Sequence, residues 1–480
     1  MERRAKIVAT MGPSSQTAEV IETLIKSGVN VCRFNFSHGT HEEHERQIKL
    51  VRETSKRLDM PVGILQDLQG PKIRAGFLDS PVDLVQDEEV ILYATGSTFG
   101  DNGGRKVIPV DFAELFDSVK PGNKILIDDG HVILSVVNNH QKHLIAMVVT
   151  GGKVSSHKGI NLPGANLAIP GFTEKDRADL EFGLRQNVDF VAISFVRSRK
   201  DIELVRQAIE EREDAGLVPL IIAKLEKPEA LENLQEILEV ADGVMVARGD
   251  LGVEMSPELV PIAQKRIILE ANTHGKIVIT ATQMLDSMIS NPLPTRAESS
   301  DVANAVFDGT DAVMLSGETA NGLYPVEAVQ IMDRIVRSAE KNFFDWGHFS
   351  PPPFNTGNDS ASITRAAREL AHNLNVAAIV VFTHTGRTAL HMSKSRARVP
   401  VMAFTPNESV LGRMCLMWGI LPRYITMSNT LREMVTKADA IVAENSLARK
   451  GQQIVVISGF PVNQIRSTNM AMLHNVGDQF

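Results

Sequence analysis

Eight short apolar runs, spaced by helical patterns, constrain this chain more than any other feature. They start near Ala5, Asn30, Pro61, Asp189, Pro219, Asp242, Lys276 and Asp311. Phe190-Val191-Ala192-Ile193, Leu220-Ile221-Ile222-Ala223 and Ala312-Val313-Met314-Leu315 show the type. A strand that is apolar at nearly every position is buried on both faces, as when helices cover a parallel sheet. The segments between the runs carry helix signals. Thr40 stands three residues before Glu43, Ser198 before Asp201 and Thr295 before Glu298, the capping-box spacing or its Asp variant. Ser256-Pro257 and Lys227-Pro228 put proline in a first turn, and Gly28 and Gly275 stand where helices stop. Eight parallel strands, each followed by a helix, close most simply into a barrel. The expected fold class is α/β, a (β/α)8 TIM barrel with an inserted small all-β domain and a C-terminal α/β domain.

The insertion shows as a break in the alternation from about 75 to 168. Glu89-Val90-Ile91-Leu92-Tyr93 and Lys124-Ile125-Leu126-Ile127 look like strands. Asp101-Asn102-Gly103-Gly104 and Asp128-Asp129-Gly130 look like turns. An insertion after the third strand lies over the active face of a barrel, where it can act as a lid. Further on, Pro351-Pro352-Pro353 and Asn355-Thr356-Gly357-Asn358 read as a linker. Beyond it come strands near 377–381, 400–404 and 453–458. The expected division is a barrel over 1–74 and 169–344, an insert over 75–168 and a C-terminal domain over 345–480.

A formal net charge of −8 gives no basic field for nucleic acid or an anionic membrane. Any anionic substrate must be held by local cations. Cys32 and Cys415 make neither a disulfide framework nor a metal motif. The first residues run into Ile7-Val8-Ala9-Thr10 without the apolar region of a signal peptide, and no run reaches membrane-spanning length. The expected location is the cytoplasm.

Barrel strands present catalytic side chains at their C-terminal ends. Here those ends read Arg33-Phe34-Asn35-Phe36-Ser37, Gln66-Asp67-Leu68, Lys224-Leu225-Glu226, Arg248-Gly249-Asp250, Thr280-Ala281-Thr282-Gln283 and Ser316-Gly317-Glu318. Six polar ends at one mouth point to a site rather than to solvated termini. Glu226 and Asp250 end adjacent strands. Two carboxylates with few other ligands suit Mg2+ or Mn2+, which keeps waters and takes oxygens from substrate. The alternative is an ion pair of Glu226 with Arg248. Lys224 and Arg33 supply fixed positive charge, the equipment of phosphoryl transfer. Gly249 lets backbone N–H groups approach an anion at a helix start. Neither G-x-x-x-x-G-K-[ST] nor G-x-G-x-x-G occurs, so neither common phosphate loop is available.

Longer blocks resemble one family. Lys6-Ile7-Val8-Ala9-Thr10-Met11-Gly12-Pro13-Ser14-Ser15, Arg33-Phe34-Asn35-Phe36-Ser37-His38-Gly39 and Asp67-Leu68-Gln69-Gly70-Pro71-Lys72-Ile73-Arg74 are similar to pyruvate kinase. So are Ala223-Lys224-Leu225-Glu226, Ala247-Arg248-Gly249-Asp250-Leu251-Gly252, Thr280-Ala281-Thr282-Gln283-Met284-Leu285 and Leu315-Ser316-Gly317-Glu318-Thr319-Ala320. The resemblance runs over nearly the whole chain. It implies Mg2+-dependent transfer of a phosphoryl group from phosphoenolpyruvate to ADP, giving pyruvate and ATP at the end of glycolysis. It implies that Lys224, Arg33 and Thr282 are catalytic. Lys224 would stabilise the phosphoryl group in flight and the enolate left behind, and Thr282 would deliver a proton to the enolate carbon. Substrate would also meet Gly249 and Asp250. Arg74, Lys175, Asn35 and His38 would serve the nucleotide. Glu226 and Asp250 would bind the divalent ion, and the family is usually a homotetramer.

The family's monovalent-cation site matches Asn35, Ser37, Asp67 and the Leu68 carbonyl. Members that need K+ carry glutamate where this chain has Lys72, and usually threonine where it has Leu68. A lysine ammonium is a tethered monovalent cation, so K+ is expected to be dispensable; the alternative is a solvated loop lysine. In the C-terminal domain Thr383, Thr385, Gly386, Arg387 and Thr388 lie between a strand and a helix. The family places its allosteric sugar-phosphate site there, and this chain is somewhat closer to forms answering to AMP or a sugar monophosphate; an ordinary capped turn is the alternative. Two other functions compete: a metal-dependent lyase or aldolase acting on pyruvate, and a catalytically silent sugar-phosphate sensor. Neither accounts for Lys224, Glu226, Asp250 and Thr282 being retained together with the insert.

Overall fold

The computed structural model describes residues 3–97, 102–164, 171–212, 218–348, 358–462 and 464–478. Most of the expected linker, the expected boundary at 168/169, and Asp101 lie outside the described residues. Eight parallel strands close into a barrel. In chain order they are Lys6–Thr10, Val31–Asn35, Gly63–Asp67, Phe190–Ile193, Leu220–Leu225, Gly243–Ala247, Ile277–Ala281 and Ala312–Leu315. The first strand closes the ring by pairing with both the second and the eighth, Val8 with Val31 and Lys6 with Ala312. All eight begin within two residues of the runs read from sequence.

Alternation along each strand divides two apolar layers. Val8, Val31, Leu65, Ile222, Met245 and Ile279 fill the interior and continue into the core of the C-terminal domain. Ile7, Cys32, Ile64, Ile221, Val244 and Val278 face the surrounding helices. Truncating one such buried residue, Leu65→Ala for instance, would cost about 2–5 kcal/mol through lost transfer energy and a cavity.

The helices start where the caps predict. Thr40 precedes the helix His41–Leu58. Its Oγ1 accepts from Glu43 N at 3.3 Å while Glu43 Oε2 accepts from Thr40 N at 2.9 Å. Thr295 opens Arg296–Phe307 in the same way. Gly275, at φ 68°, follows the helix Val260–Thr273 in a left-handed position that suits glycine.

The insert is a seven-stranded sheet with a two-stranded ribbon and one short helix, Leu115–Ser118. Its entering strand, Ile73–Arg74, pairs with Gly159 and Ile160 near its exit, so both legs lie side by side. The C-terminal sheet has five strands, in the order Ile420–Tyr424, Val401–Thr405, Ala378–Phe382, Gln453–Ser458 and Met470–Asn475. The two outer strands were not expected. Pro422 weakens the pattern of the first, yet proline is tolerated on an edge. Among the described residues no helix is long and apolar enough to cross a membrane.

Candidate active site

Four charged side chains meet where the second, third and fifth strands end. Arg33 Nε donates to Asp67 Oδ2 at 2.7 Å, and Arg33 Nη1 to Thr10 Oγ1 at 2.9 Å. Lys224 Nζ lies 2.8 Å from Glu226 Oε1 and 3.3 Å from Asp67 Oδ1. The same ammonium donates to Ser194 Oγ at 2.8 Å, and that hydroxyl donates to the Leu68 carbonyl at 2.7 Å. Glu226 Oε2 accepts from Phe195 N at 2.8 Å. Asp67 and Glu226 are only 1% and 2% exposed.

Burial by itself disfavours the charged forms of Lys224, Asp67 and Glu226. For Lys224 it is overcome by Asp67 and Glu226, so the ammonium is held above its ordinary range. For Asp67 burial is outweighed by Lys224 and Arg33, and the carboxyl sits below the usual carboxylate range. For Glu226 burial prevails: Lys224 pulls the carboxyl down, Asp250 pushes it up, and it lies above its ordinary value. Asp250 is in the first turn of Arg248–Glu254, close enough to act on both Glu226 and Lys224. Among the described residues no set of three or more His, Cys, Asp or Glu side chains could hold a metal. The donor set is thus two carboxylates, one buried and raised. That fits a hard divalent cation whose charge relieves Glu226 and whose other ligands are water and substrate.

Arg248 does not pair with Glu226. Its Nη1 meets Asp301 Oδ1 at 2.7 Å, and its Nη2 donates to the Thr282 carbonyl at 2.8 Å. Those contacts hold Thr282 at φ 65°, a strained conformation for a β-branched residue. Thr282 Oγ1 accepts from Gly249 N at 2.7 Å, which joins the two ends of neighbouring strands. Two other polar ends turn away from the mouth. Gln66 donates to the Asp179 carbonyl at 2.6 Å, and Glu318 accepts from Leu285 N and Ser316 N at 3.0 and 2.7 Å. Gln66 ties its strand to the helix Glu174–Arg185, and Glu318 ties its own short helix to the loops before it.

Lys175 Nζ donates to the Phe36 carbonyl at 2.7 Å and to Asp179 Oδ2 at 2.6 Å, which fixes it beside the loop after the second strand. In that loop Asn35 Oδ1 accepts from Ser37 N at 3.1 Å. Arg74 donates to the His157 carbonyl at 3.0 Å. His38 is pushed down by burial and then by Arg74, Lys72 and Arg33, so three cations face it. Lys72 is exposed and makes no hydrogen bond or ion pair among the described residues. Its chain lies against Gly159, where an added Cβ would meet Lys72 Cε at 3.3 Å. Asp67, the acid of the expected monovalent site, is instead matched by Arg33 and Lys224.

In the C-terminal domain Gly386, at φ 85°, precedes the helix Arg387–Lys394, and Gly386 N donates to Thr383 Oγ1 at 3.0 Å. That is the capped turn. It also borders a cavity of about 610 Å3 lined by Thr383, Thr385, Arg387, Thr388, Ser428 and Ser458 among others. Among the described residues the buried hydroxyls of Ser428 and Ser458 have no hydrogen-bond partner.

Two family models match the chain: pyruvate kinase, barrel domain, over residues 2–329, and pyruvate kinase, alpha/beta domain, over 361–474. The pyruvate kinase of Geobacillus stearothermophilus is 44% identical over 484 residues, spanning 100% of this chain and 81% of its own. That of Agrobacterium vitis is 43% identical over 481 residues, spanning 99% of each. The chain belongs to the pyruvate kinase family. Its structure matches the crystal structure of a pyruvate kinase from Cryptosporidium parvum with a TM-score of 0.90 at 35% identity, covering 99% of this chain and 96% of the other. Pyruvate kinases are phosphotransferases that act on phosphoenolpyruvate and ADP, and the family implies a divalent metal.

Several residues of this pyruvate kinase site escaped the sequence reading. Ser194 and Thr10 orient Lys224 and Arg33, yet each is one hydroxyl at the end of an apolar strand. Asp67 was assigned only to the monovalent site; its pairing with Arg33 and Lys224 joins residues from separate strands. Only the position of Ser194 at the end of the fourth strand could have flagged it.

Proposed function

We propose that the chain is a Mg2+- or Mn2+-dependent pyruvate kinase acting at the last step of glycolysis in the cytoplasm. The observation that carries this reading is the buried cluster of Arg33, Asp67, Lys224 and Glu226 at one barrel mouth. Phosphoryl transfer needs positioning and charge neutralisation more than covalent help. Lys224, kept protonated by two carboxylates, faces the phosphoryl oxygens in flight and then the enolate. Arg33 adds a second positive charge on the phosphoryl group. The turn at Gly249 and Asp250 receives the substrate carboxylate, and Thr282 passes a proton through water to the enolate carbon. Glu226 and Asp250 hold the divalent ion, which supplies positive charge to substrate oxygens when bound. Arg74, Lys175, Asn35 and His38 serve the nucleotide phosphates; the three cations around His38 support this.

The division into barrel (1–74 and 169–344), lid (75–168) and C-terminal domain (345–480) belongs to the same reading. So does a homotetramer: Ile262 and Leu269 are exposed two turns apart on the helix Val260–Thr273, and Leu259 is exposed just before it. Free, buried cysteines suit the reducing cytoplasm. Lys72 supplies the positive charge that K+ supplies at Asn35, Ser37, Asp67 and the Leu68 carbonyl in other members; among the described residues it makes no ion pair, and it acts on His38 in the loop after the second strand, while Asp67 itself is paired with Arg33 and Lys224. A sugar monophosphate or AMP binds beside Thr383, Thr385, Gly386, Arg387 and Thr388, in the cavity that Ser428 and Ser458 also line.

A coupled assay of pyruvate formation tests the activity, the role of Lys72 and the regulatory site. Turnover with phosphoenolpyruvate, ADP and Mg2+ is expected in a tetraalkylammonium buffer free of Na+ and K+. Absence of ATP formation refutes the function. Rescue from near-zero activity by K+ refutes the role of Lys72. A phosphoenolpyruvate saturation curve that no effector moves refutes the regulatory site.

A further inference from the structure

Glu254 has no part in the roles assigned above. It ends the helix Arg248–Glu254, and its side chain is 2% exposed. A carboxylate buried so deeply is costly unless it is paired and hydrogen-bonded. Its Oε1 receives Lys227 Nζ at 2.5 Å and Asn161 Nδ2 at 2.9 Å.

The three residues come from three elements. Asn161 closes the insert strand Gly159–Asn161. Lys227 directly follows Glu226 and caps the helix Pro228–Glu232. Glu254 lies four residues after Asp250, one turn along the same helix face. Lys227 Nζ also stands 5.9 Å from the centre of the Phe195 ring, and Phe195 N donates to Glu226 Oε2 at 2.8 Å. A cleft between insert and barrel, about 50 Å3, is lined in part by Lys72, Asn161, Phe195, Lys227 and Asp250.

We propose that Glu254 is a positioning residue: one carboxylate oxygen clasps the insert to the barrel and sets the elements carrying Glu226 and Asp250. The proposal rests on the reading of those two carboxylates as the divalent-ion ligands. When the insert swings away, Asn161 leaves the clasp and the buried Oε1 keeps Lys227 alone. When Lys227 shifts, the segment that begins at Glu226 shifts with it. Lid position and carboxylate geometry are therefore two faces of one equilibrium. Where docking tightens the carboxylate site, linkage requires that a metal bound there favours the docked insert by the same factor.

The test uses the full-length protein with Mn2+ alone as probe. Mn2+ should slow hydrogen exchange at residues 159–161 of the wild type. In E254Q and N161A the slowing should vanish, and the Mn2+ dissociation constant should rise by roughly 5- to 150-fold, the range of ordinary coupling. The double variant should bind no more weakly than E254Q, because both remove one tie. If E254Q lowers the thermal midpoint but leaves Mn2+ affinity and insert exchange unchanged, Glu254 only stabilises its helix and the proposal falls. Should E254Q fail to fold, N161A decides by the same two readouts. If the wild type does not bind Mn2+, the ligand reading of Glu226 and Asp250 fails by itself. The clasp is then judged on exchange without metal: faster exchange at 159–161 in N161A upholds it, and unchanged exchange overturns it.

Discussion

Replacing Asp67 by Asn removes one negative charge and almost no volume. In the wild type that charge is 1% exposed and balances two cations, Arg33 Nε at 2.7 Å and Lys224 Nζ at 3.3 Å. At an effective dielectric of 20 the two contacts amount to about 6 and 5 kcal/mol of Coulomb energy. Desolvation of the three groups offsets most of it, and breaking one buried pair typically leaves a net loss of about 3–5 kcal/mol. For a domain of this size that lowers the thermal midpoint by roughly 10 °C. The substrate is a polyanion and would take over the uncovered cations. Saturating phosphoenolpyruvate should therefore raise the midpoint of Asp67→Asn more than that of the wild type. The pH dependence has a definite sign. The folded Asp67 sits below its ordinary pKa, so its contribution is complete above about pH 4 and fades as pH falls through the folded value. Calorimetry of both proteins from pH 7 downward measures the gap. A gap already closed at pH 5 would mean a raised rather than a lowered carboxyl and would refute the cluster electrostatics. A gap absent at pH 7 would refute the ion pairs themselves.

Three further outcomes are expected. Lys224→Met should lower pyruvate formation by about 10^3-fold or more while Mn2+ binding persists; near-normal turnover in the coupled assay contradicts its assigned role. Arg387→Ala should abolish any response of the phosphoenolpyruvate saturation curve to a phosphorylated effector without changing the unstimulated curve, since Arg387 lines the C-terminal cavity and belongs to none of the strand ends at the barrel mouth. Asp189 lies at the barrel floor, where burial pushes its carboxyl up to about 6 against the pull of Ile64 N, Arg52 and Arg413. Its contribution is complete below the unfolded value of about 4 and lost as pH rises through about 6, so Asp189→Asn should gain on the order of 2–3 kcal/mol at pH 8 and nothing at pH 4. Thermal midpoints at the two pH values check it, and an Asn variant less stable at pH 8 contradicts it.

The sequence by itself determined the barrel. A strand buried on both faces must be apolar throughout, and that pattern survives in one dimension; Leu220-Ile221-Ile222-Ala223 can be read without neighbours. Caps are local too, because Thr40 and Glu43 find each other within one turn. Long blocks such as Ala247-Arg248-Gly249-Asp250-Leu251-Gly252 likewise made the family legible before any coordinates. The tertiary structure decided what each polar strand end does. Gln66 and Asp67 are adjacent, yet pleating sends the first to a helix and the second into the mouth. Arg33 and Asp67 are 34 residues apart, and Asn161 meets Glu254 across 93. No periodicity connects such pairs. They exist because barrel closure and insert docking bury charges that must then find partners, and only three-dimensional proximity supplies them.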